Sequence, residues 1–275
     1  MALGRCARYV RAVPRELVEV APGVLVATSR TMTTTSTVVV HGRDALLVDP
    51  AWHPDELAAL ADEIDTRGLH VVAGIATHAH HDHVLWHPRF GDVPRWASPR
   101  TVERVRARRA ALQVAVIDGE GSADVGSDPW TSELLDLVGE VRSFPVPPAG
   151  LPGEPELVVH DAHAPGHAAV WLGGARVLLA GDMLSDVELP LPFEPDDLPA
   201  YLAGLDRLAP YVARARVVVP GHGRPTSDGV ARLEADRRYL DALLSGKGSD
   251  DLRRALPGMA EAHARVAALA DTLRR

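Results

Sequence analysis

The stretch Thr77–His87, "THAHHDHVLWH", carries five histidines and one aspartate within eleven residues. Histidine is poorly hydrophobic and costly to bury unless each ring nitrogen finds a partner, so such density calls for a reason. The run just before it, "VVAGIATH" (71–78), reads as a buried strand. The histidines therefore begin where a strand gives way to a loop, the place where α/β folds put their chemistry, because the loop is held by a rigid sheet yet faces solvent.

Upstream, "ELVEVAPGVLVAT" (16–28), "TSTVVVHG" (35–42) and "DALLVDP" (44–50) are short β-branched runs separated by turn signals, and they predict an antiparallel meander. Pro54 opens an amphipathic helix with apolar positions 57, 60 and 64 and a closing Gly68. Residues 98–150 change character, with an Arg-rich helix, "IDGEGSADVGSDPW" (117–130) and "PVPPAGLPGEPE", and are expected to be a helical insertion or lid without a core of their own. Strands resume with "ELVVH", "AAVWLGG", "RVLLAGD" and "RVVVPGH", with a helix around 196–209 among them. From 227 to 275 the chain predicts two C-terminal helices. The expectation is one domain over 1–275.

Composition narrows the chemistry. Cys6 is the only cysteine, which excludes a disulfide framework and a thiolate-rich metal site, leaving histidine and carboxylate as ligands. A net charge of −8 argues against a nucleic-acid grip, and the arginines of "RTVERVRARRA" (100–110) read as a solvated helix face. No apolar run is long enough to span a bilayer, and the first residues lack the apolar stretch of a secretory signal, so a cytoplasmic location is expected. The expected partner is a small-molecule substrate, with no nucleic acid and no membrane.

On a loop leaving a strand, His78 and His80 can converge on one metal while Asp82 and His83 turn toward a neighbouring position. Two ions need further ligands at later strand ends. Candidates follow in order: "APGH" ends at His167, "LLAGD" at Asp182 and "VVVPGH" at His222. With these motifs the sequence resembles the metallo-β-lactamase superfamily of hydrolases, in its glyoxalase-II-like and lactonase-like form, from the Asp49 region to His222. The resemblance implies a four-layer αββα sandwich, an α/β (α+β) fold. It implies that His78, His80 and His167 hold one metal and that Asp82, His83 and His222 hold a second. Asp182 would bridge the two, and Asp49 would support the histidine loop from behind. The usual metal is zinc, so two zinc ions are expected, and iron or manganese also suits such ligands.

Two ions sharing a water lower its pKa from about 15.7 toward about 7, and the hydroxide so formed attacks an acyl carbonyl. Asp82 and Asp182 are the expected catalytic carboxylates, positioning the water and moving its proton. The expected activity is thus hydrolysis of an ester, thioester, lactone or amide. A mononuclear iron dioxygenase acting on a sulfur compound, or a β-lactam hydrolase, is the alternative. "DHVLW" replaces the small residues that glyoxalase-II-type and lactonase relatives carry after the Asp-His pair. Trp52, Trp86 and Met183 are expected to border the substrate pocket, with the proline-interrupted loop "MLSDVELPLPFEP" (183–195) at its mouth. His81 is expected to face outward as a spacer, and His160 and His163 to be ordinary polar positions.

Overall fold

A computed structural model describes residues 15–118, 128–144, 147–193 and 195–275. Cys6 and most of the 117–130 stretch fall outside these residues. The chain opens as the expected meander: β1 (Val18–Ala21), β2 (Val24–Thr28), β3 (Thr35–His41) and β4 (Asp44–Val48) pair successively antiparallel. Helix α1 (Pro54–Thr66) then crosses over to β5 (His70–Ile75), parallel to β4. Pro54 sits at the first helical turn, where its missing N–H costs nothing, and Gly68 takes a left-handed φ of 65° just past the end. Two further parallel strands, β6 (Arg95–Ala97) and β7 (Arg142–Ser143), complete a seven-stranded sheet in the order β1 to β7.

The second sheet has four strands in the order β11-β10-β9-β8. They are β8 (Glu156–Val159), β9 (Ala168–Leu172), β10 (Val177–Gly181) and β11 (Val217–Pro220), the last pair parallel. Helix α4 (Leu198–Val212) lies between β10 and β11 in the chain, and α5 (Gly229–Leu244) and α6 (Met259–Leu273) form the expected C-terminal pair.

Three apolar clusters define the layers. Val24, Val39, Leu46 and Ile75 of the first sheet meet Val170, Leu172, Leu179 and Val219 of the second. The outer face of the first sheet packs Leu47 against Leu57, Leu60 and Ile64 of α1. The outer face of the second packs Leu178 and Val218 against Leu205 and Leu208 of α4, Leu240 of α5 and Val266 of α6. Strands buried on both faces read as near-continuous apolar runs, as "VLLAG" and "VVVP" do. The result is the expected αββα sandwich. No helix among the described residues is long and apolar enough to cross a membrane.

The described residues of 98–150 pack into the first half. Helix α2 (Pro99–Asp118) buries Val102, Val105, Leu112 and Val116 in the α1 layer, the short α3 (Ser132–Leu137) buries Leu134, and β7 extends the sheet. None of its described residues lines the cavity over the histidines. The residues that looked like an insertion lacked a core of their own because they complete a neighbouring one.

Candidate metal centre

The histidine loop leaves β5 at the edge where the two sheets meet. β3 and β11 are tied together there, by Thr35 N–H to the Gly221 carbonyl (2.7 Å) and Thr35 Oγ1 to the Pro220 carbonyl (2.6 Å). This stitch brings His222 beside the loop. Asp182 arrives from the end of β10, and the Asp182 and His222 ends are fixed relative to each other because Gly221 N–H donates to the Gly181 carbonyl at 2.6 Å.

Two groups of donors meet at the loop. His78, His80, His163 and Asp182 form one, and Asp82, His83 and His222 form the other, while Asp182 and His222 also stand with Glu188 as a third set able to hold an ion. In the first, His78 Nε2 stands 2.9 Å from His80 Nδ1, which is 3.0 Å from His163 Nε2. Asp182 Oδ2 is 3.2 Å from His78 Nε2 and 3.3 Å from His163 Nε2. In the second, Asp82 Oδ2 lies 3.3 Å from both His83 Nε2 and His222 Nε2. Asp182 reaches this group as well, with Oδ1 3.1 Å from His83 Nε2 and Oδ2 3.4 Å from His222 Nε2. A single carboxylate thus spans both groups.

The donor set fits divalent ions. Ligands on a tetrahedral zinc, at bonds of about 2.0–2.2 Å, sit about 3.3–3.6 Å from one another, at or slightly above the separations here. Buried His83 Nε2 and Asp182 Oδ1 have no hydrogen-bond partner, as metal-facing atoms would. The far nitrogens of the rings are engaged by acceptors, which turns each remaining lone pair inward. His83 Nδ1–H donates to Asp49 Oδ2 at 2.9 Å, His163 Nδ1–H to the Leu191 carbonyl at 3.0 Å and His222 Nδ1–H to the Met32 carbonyl at 3.2 Å. His78 Nδ1–H donates to Thr77 Oγ1 at 3.0 Å, and that hydroxyl donates to Asp49 Oδ2 at 2.6 Å. Asp49 also accepts the Thr77 N–H at 2.8 Å, so one carboxylate behind the loop holds both its start and His83.

Electrostatics divides the rings: against burial, Asp182 and its neighbouring carboxylates hold His83 and His222 well above the usual imidazole value. Burial pushes His78 well down and His163 to about 3, leaving neutral rings with a free lone pair. Burial alone would raise the Asp82 and Asp182 carboxyls, but His83 and His222 beside them hold both well below the usual carboxylate range. Both acids are therefore ionised at neutral pH and able to bind a cation.

The structure corrects one expected position. His163, not His167, faces His78, His80 and Asp182. The reason is strand pairing: His160 N–H donates to the His167 carbonyl at 2.8 Å, so these two residues close a hairpin and 161–166 is its loop. His163 lies in that loop, whereas His167 leads directly into β9 and its Nε2 accepts the Asp182 N–H at 3.1 Å. The start of α2 secures the loop, with Ser98 Oγ and Thr101 Oγ1 donating to the Gly166 carbonyl at 2.5 and 2.9 Å. His160 stacks on His167 with ring centroids 4.6 Å apart.

Above the donors opens a cavity of about 340 Å³. Its apolar wall is Met32, Leu191 and Phe193, so the 183–195 loop does border the mouth. The three residues expected at the pocket do not line it. Trp86 packs in the first core cluster on Gly74 of β5, and its indole N–H donates to the Gly91 carbonyl at 3.1 Å. Trp52 is in the same cluster, reaching the cavity only through His81, whose ring it meets edge-on at 4.9 Å. Met183 is turned into the second core beneath α4. His81 is half-buried and borders the cavity instead of facing outward.

Sequence reasoning missed Glu188. This buried residue lines the cavity, with a carboxylate oxygen within 4.8 Å of donors on Asp182 and His222. Burial, with Asp182 and Asp82 nearby and against the pull of His222, pushes its carboxyl up to about 7. No motif marks it, because its position comes from the path of the loop after β10.

An αββα sandwich with a His/Asp double cluster at its edge defines a class of metal-binding protein. The chain belongs to the metallo-beta-lactamase superfamily, whose family model matches residues 30–222. Solved structures share the fold. A beta-lactamase domain protein from Burkholderia ambifaria superposes with a TM-score of 0.63 at 20% identity, covering 97% of this chain and 91% of that one. A metallo-beta-lactamase family protein from Thermus thermophilus gives 0.63 at 24% identity, covering 93% and 94%. The DIM-1 metallo-beta-lactamase exposed to ceftazidime gives 0.57 at 16%, covering 94% and 97%. Family membership and the candidate site together point to a metal-dependent hydrolase.

Proposed function

We propose that the protein is a dinuclear zinc hydrolase that cleaves an ester, thioester, lactone or amide bond of a small organic molecule. The observation that carries this reading is Asp182, whose two oxygens reach across both donor groups at the floor of an open cavity. His78, His80 and His163 would hold one ion, Asp82, His83 and His222 the other, with Asp182 between them.

Divalent ions in this position supply an ionised water at neutral pH and polarise the acyl oxygen. The chain's own residues do the rest. Asp82 and Asp182, both ionised, would orient the attacking water by accepting its hydrogen bonds. Asp49 keeps the His83 ring fixed, and the Leu191 carbonyl does the same for His163, so little reorganisation is needed as charge develops. Met32, Leu191 and Phe193 take the apolar part of the substrate and exclude water from it. A cavity of about 340 Å³ suits a small molecule.

The test is turnover of a panel of thioesters, lactones, esters and a chromogenic β-lactam by the purified protein, with and without a chelator. Chelator-sensitive hydrolysis supports the reading. A protein with one iron per chain and no hydrolysis of any panel member refutes it in favour of oxidative chemistry on a single metal.

A further inference from the structure

Arg253 and Asp236 form a buried ion pair at 2.7 Å, and both lie beyond residue 222, where the family match ends. Breaking such a pair is costly, yet replacing both members by apolar side chains is often neutral, so stability alone is a poor reason to keep one. What the pair grips is the loop after β10. Arg253 Nη1 donates to the Ser185 and Glu188 carbonyls, both at 2.9 Å, as well as to Asp236. Its Nε and Nη2 donate to Asp251 at 3.1 and 2.8 Å, so the guanidinium is fixed on its other edge. The Leu184 backbone N–H in turn hydrogen-bonds to the Asp236 carboxyl.

These ties converge on Asp182, Glu188 and His222, which stand together as a donor set. Glu188 is held directly, by its own carbonyl. His222 is held through Ser185, whose hydroxyl donates to the His222 carbonyl at 2.7 Å and accepts the Glu188 N–H at 3.0 Å. Asp182 is held through Leu184, which follows it closely in the chain and sits at a φ of 61°. A bulky residue keeps a left-handed backbone only where its surroundings fix it. Here Asp236 holds its N–H and Arg253 holds the next carbonyl along.

We propose that the Arg253–Asp236 pair is a positioning device for the metal centre. Supplied by α5 and the turn Leu252–Ala255 after it, the pair holds the 184–188 turn so that Asp182, Glu188 and His222 keep a common aim. This rests on the donors binding a metal ion, and not on which bond the protein cleaves.

The experiment titrates cobalt(II) into the metal-free chain and follows the visible absorption of the bound ion, which reports its ligand geometry, beside the melting temperature. Wild type is compared with Arg253→Met, with Asp236→Leu/Arg253→Met and with Ser185→Ala. The single arginine variant strands Asp236 and should lose both stability and cobalt affinity. The double variant removes the stranded charge, so its melting temperature should return toward wild type. Its cobalt affinity should nevertheless stay about 10–100-fold down, with an altered spectrum, because the two loop carbonyls still lack their donor. Ser185→Ala, which cuts the tie to the His222 carbonyl, should weaken cobalt binding about tenfold in a folded protein. Stability and cobalt binding that recover together in the double variant mean that the pair only supports the fold, and overturn the proposal. Wild-type affinity and spectrum in Ser185→Ala overturn it too, whatever the stability of the double variant, and a wild type that takes up no cobalt overturns both the metal site and the proposal. If cobalt binding depends on the pair but no acyl substrate is hydrolysed, the hydrolase reading falls and the positioning role stands. Cobalt-dependent hydrolysis at the wild-type rate in the double variant does the reverse.

Discussion

Replacing Gly221 by alanine would place a methyl carbon 2.1 Å from Asp182 Oδ1, 3.0 Å from the Gly181 carbonyl carbon and 3.1 Å from His83 Cε1. Ordinary contacts need about 3.5 Å, so something must retreat by roughly 1 Å. The backbone at Gly221 is held on both sides, by its N–H to Gly181 and its carbonyl to Thr35. The carboxylate of Asp182 is what gives way, and with it the contacts that span the two donor groups. A misplacement of about 1 Å at a reacting centre costs about a hundredfold in rate, and overpacking of this kind costs about 1–3 kcal/mol of stability. Purified Gly221→Ala should therefore remain folded by circular dichroism, lose bound metal on elemental analysis and fall about a hundredfold in kcat/KM. Full metal content with wild-type turnover would refute the reasoning, because it would mean that Asp182 need not stand where both groups meet it.

His163→Ala should lower metal content while His167→Ala leaves it near wild type and lowers the melting temperature, since His167 Nε2 accepts the Asp182 N–H and is not one of the donors, although its ring packs against His78; a reversed pattern would restore the assignment made from sequence. Asp49→Ala removes the acceptor of Thr77 and His83 and should weaken metal affinity about 10–100-fold in a competitive chelator titration. An unchanged affinity would show that the loop holds itself. Arg253→Leu leaves Asp236 buried without its partner and should cost about 3–5 kcal/mol in urea unfolding, against less than about 1 kcal/mol if the pair were exposed in solution.

Much of the fold could be read from local signals that agree with one another. Pro54 and Gly68 bound α1, turn residues separate the strands of the meander, and uninterrupted apolar runs mark β10 and β11. The His78–His83 string, Asp182 and His222 were legible because each follows a strand whose end the sequence displays. His163 was not, since "HAPGH" offers two histidines four apart and only the pairing of His160 with His167 decides which one is left in the loop. Trp86 was misplaced for a similar reason. Its ring fills the space over Gly74, a cross-strand complementarity invisible in one dimension. Glu188 carries no motif, and the backbone of the turn that holds it is tied to Ser185 in the same loop and to Arg253 from a distant part of the chain. The 98–150 segment looked independent because the sheet that its Arg142–Ser143 strand extends lies earlier in sequence.

The central claim is that one carboxylate joins two metal positions, and metal stoichiometry tests it most directly. Wild type, His163→Ala and His222→Ala would be equilibrated with zinc, freed of excess ion and analysed for metal per chain. The account predicts two ions in wild type and one in each variant, the survivor occupying the half whose ligands remain intact. A single ion in wild type, or two ions retained after loss of either histidine, would contradict it.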